Sequence, residues 1–197
     1  MASRLSRKHL LLLIISLIGL LQAVQAAEYQ VYFLGGQSNM NGFGLVEELP
    51  YELLSPMPGV WIFQGNPAED GVPVDGRGLW APLQPGHGVG FHSDGKKNHY
   101  SLRFGVELGF VRRLKELQPD ARIALIKYAK GGSSIDQRAG GRFGSWDPDF
   151  QGGTGEGSGV NQYDHFLATL RNAFSICDID RDGEPDRLIP AGILWMQ

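Results

Sequence analysis

The chain has 197 residues, a formal net charge of −3 and a single cysteine, Cys177. That length suits one domain with a sizeable core. The near-neutral charge balance gives no electrostatic footprint for nucleic acid, and a lone cysteine excludes an intramolecular disulfide. Cys177 lies between Phe174-Ser175-Ile176 and an acidic run, a poor setting for a nucleophilic thiolate.

The N-terminus reads as a leader. Arg4, Arg7 and Lys8 form a basic region, Leu10 to Leu21 is an apolar run, and Val24-Gln25-Ala26 resembles a small-residue cleavage site. This is the pattern of a secretory signal peptide over residues 1–26, short for a membrane span. An uncleaved anchor is the competing reading. On the signal-peptide reading the mature domain, 27–197, is secreted or periplasmic and has no membrane contact.

Tyr29 to Leu34 is rich in β-branched, aromatic and aliphatic side chains and predicts a buried strand. It breaks at Gly35-Gly36 and presents Gln37-Ser38-Asn39. In open α/β sheets, ligands bind at the carboxyl ends of the strands. Ser38 is the first polar hydroxyl at that edge. A serine on a constrained turn beside free backbone N–H groups suits nucleophilic acyl transfer. A βα turn with serine as a helix cap is the plain alternative.

Pro50, Pro56 and Pro58 rule out a long helix after that turn. Val60 to Phe63 predicts a second strand. Residues 64 to 98 form a long insertion carrying Trp80, His87, Phe91 and His92, with His99 adjoining. Such a loop either stacks sugar rings on its aromatic faces or packs a small cluster of its own. Leu102, Val106, Phe110, Leu114 and Leu117 recur at helical spacing, and Pro119 ends that element. Arg122 to Ala129 predicts another buried strand, with a second glycine turn, 130–132, at its carboxyl end. Residues 136 to 160 form a further loop, in which Trp146 either lines a groove or anchors the loop. Tyr163, Phe166, Leu167, Leu170, Ala173 and Phe174 mark a helix capped by Asn161. Asp164 and His165 are adjacent on it and cannot face each other. Leu188 to Trp195 predicts a last buried strand.

Before that strand, Asp178, Asp180 and Asp182 alternate ahead of Gly183, and Asp186 follows. Alternate aspartates before a glycine open many calcium loops. The twelfth position is Ile189 rather than glutamate, so this is no EF-hand. The four aspartates are candidate ligands of a structural calcium; an acidic hairpin without metal is the other reading.

Three blocks carry a family resemblance: Gly36-Gln37-Ser38-Asn39-Met40, Lys130-Gly131-Gly132-Ser133-Ser134, and Gly192-Ile193-Leu194-Trp195-Met196-Gln197. In that order they resemble the conserved blocks of the SGNH hydrolases, in particular the sialate O-acetylesterase and acetylxylan esterase branch, carbohydrate esterase family six. The third resembles the start of Trp-x-Gln-Gly-Glu. The resemblance implies an α/β fold, a flavodoxin-like three-layer α/β/α sandwich with a parallel sheet. It implies a serine esterase that removes O-acetyl groups from carbohydrates through an acetyl-serine, with no cofactor needed for catalysis. Ser38 would be the nucleophile. The amides of Ser38 and Gly132 and the side chain of Gln197 would be the oxyanion donors. Gln37, Asn39 and Trp146 would be substrate contacts.

The family pattern also implies an Asp-x-x-His pair after the third block, and this sequence has none. The expectation is therefore a chain short of its last strand, helix and catalytic base, inactive as it stands. A loop histidine, His92 or His99, acting as base is the alternative. A non-catalytic carbohydrate-binding protein on the same fold is the competing function. A phosphate-binding domain finds no support, because neither Gly-Lys-Ser/Thr nor Gly-x-Gly-x-x-Gly follows the first strand.

Overall fold

The computed structural model describes residues 26–67, 74–141, 143–152 and 159–197. The leader reading falls outside these residues, apart from Ala26. So do six residues of the long insertion, 68–73, and most of the glycine-rich stretch of the later loop, 153–158.

Five strands form one sheet: β1 (Glu28–Gly36), β2 (Val60–Gln64), β3 (Trp80–Pro82), β4 (Ile123–Ala129) and β5 (Arg187–Met196). Their spatial order is β3-β2-β4-β1-β5. β1 pairs in parallel with both β4 and β5, and β2 pairs in parallel with β4. Only β3 runs antiparallel, on the outer side of β2. The expected parallel sheet is present, with β1 at its interior.

Side chains alternate across the sheet with the period of two that a strand dictates. Ile123 and Leu125 of β4 join Leu34 and Ile62 in one core cluster, against Leu108 and Val111 of helix α2 (Glu107–Leu117). Ala124 and Ile126 face the other way, into a cluster with Val31, Phe63 and Ala173 of helix α3 (Gln162–Ser175). One helix on each face gives the three layers. Every residue of β4 is buried, as a parallel strand covered on both faces should be.

Two expectations need correction, and a third is filled in. The face of α2 is rotated from the one read in the sequence: Glu107, Leu108 and Val111 are buried, while Leu102 precedes the helix and is 82% exposed. The periodic count began a turn too early, where Val106 is already the cap residue. The last strand is not a buried one. β5 lies at the sheet edge with Ile193 73% exposed and Trp195 40% exposed. It has one neighbour, and among the described residues no helix covers its outer face. Pro190 fits this place: the β1–β5 register shifts between Val31 and Tyr32, opposite Pro190 and Gly192, and proline is tolerated at edge strands and bulges. As their adjacency on the helix requires, Asp164 and His165 part: His165 is buried, 3% exposed, and stacks on Tyr128, whereas Asp164 points to solvent.

The two readings of the long insertion are resolved by packing. His87 stacks on Phe91 with ring centroids 4.9 Å apart and meets Tyr100 edge-on at 5.2 Å. Trp80 is buried and donates from Nε1 to the Ala173 carbonyl at 3.1 Å. His87, Phe91 and Tyr100 thus form a cluster of their own, while Trp80 joins the sheet core against Phe63. His92 and His99 stack on each other at 4.3 Å in a small surface hairpin.

Candidate active site

β1 ends at Gly36, whose φ is 137°. A Cβ there would fall 2.0 Å from the Met196 carbonyl oxygen, so only glycine lets β1 close against β5 at this point. The chain then turns into a single helical turn, α1 (Ser38–Asn41). Gln37 N–H donates to the Met196 carbonyl at 2.8 Å, and Asn41 N–H closes back on the Gln37 carbonyl at 2.8 Å. Ser38 is half-buried, Asn39 exposed and Met40 fully buried in the core. Met40 thus nails the turn down while Ser38 and Asn39 face outward. Ser38 heads the turn, where amides have no intrahelical partner.

The second glycine turn follows β4, the neighbour of β1, so the sheet brings the two turns together. A Cβ on Gly131 would lie 3.7 Å from Ser38 Cα. Gly132 has φ 81° under the Phe143 ring, and its N–H makes a long contact, 3.4 Å, with Gln37 Oε1. Ser133 Oγ donates to the Lys130 carbonyl at 2.6 Å and accepts from Trp146 Nε1 at 2.9 Å. Gln197 Nε2 donates to the Ser133 carbonyl at 2.8 Å. The residues of all three motif blocks therefore converge on one edge: Ser38 with Gln37, the 131–133 turn, and Gln197.

Trp146 is placed otherwise than a groove-lining residue would be. It is 6% exposed and wedged edge-on against Trp195, with ring centroids 4.6 Å apart. It anchors the loop. Trp195, part of the third block but given no role in the sequence, lies over Gly35 and is 40% exposed.

Beneath the site lies a feature that the sequence reading missed. Lys127, in the middle of β4, is fully buried and pairs with the equally buried Glu107 at 2.8 Å. Its Nζ also donates to the His87 carbonyl at 2.7 Å, and the other Glu107 oxygen accepts from Gly105 N–H at 2.8 Å. Gly105 leaves no room for a side chain here: a Cβ would meet Glu107 Oε2, Lys127 Nζ and the Met40 carbonyl. The pair therefore holds the insertion, α2 and the base of α1 together. A lysine within an otherwise apolar strand signals a buried partner, though nothing local names Glu107. His87 itself is wholly buried; burial, and then the Lys127 charge, hold its imidazole down at about 3. Its Nδ1 hydrogen-bonds Gln64 Oε1 at 2.9 Å, so it is a structural group.

Of the four aspartates read as metal ligands, three converge. One carboxylate oxygen each from Asp178, Asp180 and Asp186 lies within 4.8 Å of the others. Asp182 does not join them: its Oδ1 accepts from Glu184 N–H at 2.9 Å, because the tight turn at Gly183 points it along the backbone.

A mostly parallel sheet between helices, with a serine turn at the carboxyl end of an interior strand, defines the class: an α/β protein with polar turns gathered at one sheet edge. A family model described as "SASA: Carbohydrate esterase, sialic acid-specific acetylesterase" matches residues 28–197, and the chain belongs to this carbohydrate esterase family. Two solved structures resemble it at low identity. One is an X-ray structure of a protein from Arabidopsis thaliana, 16% identical with a TM-score of 0.47, covering 84% of this chain and 56% of that one. The other is the crystal structure of NanS, 17% identical with a TM-score of 0.42, covering 88% of this chain and 55% of that one. The chain thus spans a little over half the length of both. No curated protein matches it significantly. Among the described residues no helix is long and apolar enough to cross a membrane.

Proposed function

We propose that this domain removes O-acetyl groups from carbohydrates, with Ser38 as the acetyl-accepting nucleophile. One observation carries the reading: Ser38 and the 131–133 glycine turn meet at adjoining strand ends, with Gly131 in contact range of Ser38. Family membership supports the substrate class.

In the proposed reaction Ser38 Oγ attacks the acetyl carbonyl, and its proton passes through a base to the departing sugar oxygen. Water then hydrolyses the acetyl-serine. Negative charge collects on the carbonyl oxygen in both steps, and backbone N–H groups set in place beforehand lower the barrier by several kcal/mol. Ser38 N–H and Gly132 N–H are the proposed donors. The long Gly132–Gln37 contact is one that a substrate oxygen would displace. Gln197 carries two N–H bonds; one binds Ser133, and the second is the proposed third donor. Gln37 and Asn39 are the proposed polar contacts to the sugar. The leader pattern supports export, so the proposed site of action is outside the cytoplasm.

A second reading, carbohydrate binding without turnover, is favoured by a different observation. A serine nucleophile needs a base, and among the described residues no histidine hydrogen-bonds Ser38. Treatment with a fluorophosphonate probe, followed by peptide mass spectrometry, separates the two. Modification at Ser38 that disappears in Ser38→Ala supports the esterase. An unmodified Ser38 in a folded protein that still binds acetylated saccharides supports the binding module.

A further inference from the structure

The turn entering β5 carries more negative charge than its surroundings neutralise. Asp178, Asp180 and Asp186 bring their oxygens within 4.8 Å of one another, yet among the described residues no lysine or arginine makes an ion pair with them. Arg122 lies over the Tyr29 ring, 5.9 Å from its centroid, without reaching these carboxylates.

Two oxygens of this group are buried and have no hydrogen-bond partner: Asp180 Oδ1 and Asp186 Oδ1. Asp186 is only 9% exposed. Its other oxygen accepts from Ile179 N–H at 2.7 Å, and that bond fixes the carboxylate with its bare oxygen in the cluster. Burying a bare carboxylate oxygen is costly unless a cation or donor meets it. On the other side, Tyr29 O–H donates to Asp180 Oδ2 at 2.9 Å, leaving Oδ1 free to bind an ion.

We propose that Asp178, Asp180 and Asp186 hold a calcium ion that ties the turn before β5 to the first residues of β1. Oxygens bound to one calcium at its usual distances lie at most about 5 Å apart, as these do. An all-carboxylate set selects a hard cation over zinc or copper, which favour imidazole and thiolate. Backbone carbonyls of an open turn and water complete a calcium shell readily, because calcium accepts irregular geometry where magnesium demands an octahedron. The ion would be structural. Ile179, between two ligands, is fully buried in the core. Asp186 N–H donates to the Cys177 carbonyl, and Arg187 N–H donates to the Ala27 carbonyl at 2.7 Å. The turn is therefore joined directly to the β1–β5 pairing.

The test uses the whole chain, freed of metal with EGTA and titrated with calcium chloride. Calcium about tenfold above its Kd should raise the melting temperature by roughly 3–6 °C, with magnesium giving a clearly smaller rise. Terbium should luminesce on excitation of tyrosine, lose that emission as calcium displaces it, and emit far less in Tyr29→Phe. Asp180→Asn should weaken calcium binding by about tenfold or more by removing one of three ligand charges, whereas Asp182→Asn should change it less than about twofold. If Asp180→Asn does not fold, the wild-type titration and the terbium signal decide alone. No thermal shift and no terbium emission at millimolar ion, an equal response to magnesium, or equal losses in the two aspartate variants would each overturn the assignment.

Discussion

The two ends of the β1–β5 pair are built from opposite chemistry. At the carboxyl end, Gly36, Ser38 and the 131–133 turn bring backbone N–H groups to one place, a setting for an oxygen that gains negative charge. At the amino end, 178–186 brings bare carboxylate oxygens together beside Tyr29, a setting for a cation. The first end is shaped by glycines whose conformation or close approach excludes side chains. The second is shaped by side chains: Asp178 and Asp180, two residues apart, and Asp186, which the turn brings back to them. The proposed chemistry at one end and the proposed anchorage at the other can therefore be tested separately.

Ser38→Ala should give the largest effect and touch only the carboxyl end. With imidazole supplied as base, hydrolysis of an acetylated saccharide should drop by at least about a hundredfold, while the melting temperature barely moves, since among the described residues no hydrogen bond holds the half-buried hydroxyl. Wild-type-like turnover would remove Ser38 from the mechanism. Without Ser38 that external base has nothing to activate: among the described residues no histidine bonds Ser38, so imidazole should accelerate the wild type and leave Ser38→Ala at background. Strong turnover without imidazole that vanishes in His92→Ala or His99→Ala would instead locate the base in the surface hairpin.

Lys127→Met probes what supports the carboxyl end from below. It leaves Glu107 buried without its cation, and the expected cost is about 3–5 kcal/mol in urea unfolding. A neutral result would mean that the pair does not hold α1, α2 and the insertion together.

Acid should act through His87. Its folded-state pKa of about 3 lies below the ordinary 6.5. Between those values the unfolded chain binds a proton that the folded chain refuses. Stability should therefore fall as pH drops from about 6.5 towards 3, by an amount on the order of a few kcal/mol in total. Urea midpoints at successive pH values measure this, and His87→Gln should flatten the slope.

The smallest effect is at Asn161. Its Oδ1 caps α3 by accepting from Asp164 N–H at 3.2 Å, and Asn161→Ala should cost about 1 kcal/mol without changing the response to calcium.

Sequence patterns revealed what local physics controls. Strands β1, β2 and β4 are short apolar runs stopped by glycine, and α3 carries its own cap, so each was legible within a few residues. The Ser38 turn was legible for the same reason, a strand running into Gly35-Gly36. What depends on partners distant in sequence was not. Whether Leu188 to Trp195 is buried depends on which helix covers it. Lys127 needs Glu107, twenty residues away, and Trp146 takes its place from Trp195. Asp182 misled because alternation in sequence equals convergence in space only where the turn keeps its pitch, and Gly183 redirects it.

The placement of β1 also sets a timetable. It is the first strand of the sheet, yet it sits between β4 and β5, and its Glu28 meets Arg187, 159 positions further along the sequence. No hairpin can form it early. Until β4 emerges, both of its edges lack partners, and the side towards β5 stays open until residues 187–196 have been made. Contacts of such long range slow folding and expose unpaired strands meanwhile. During synthesis this chain should lean on chaperones that shield β1, and a slow refolding phase should report the arrival of β5.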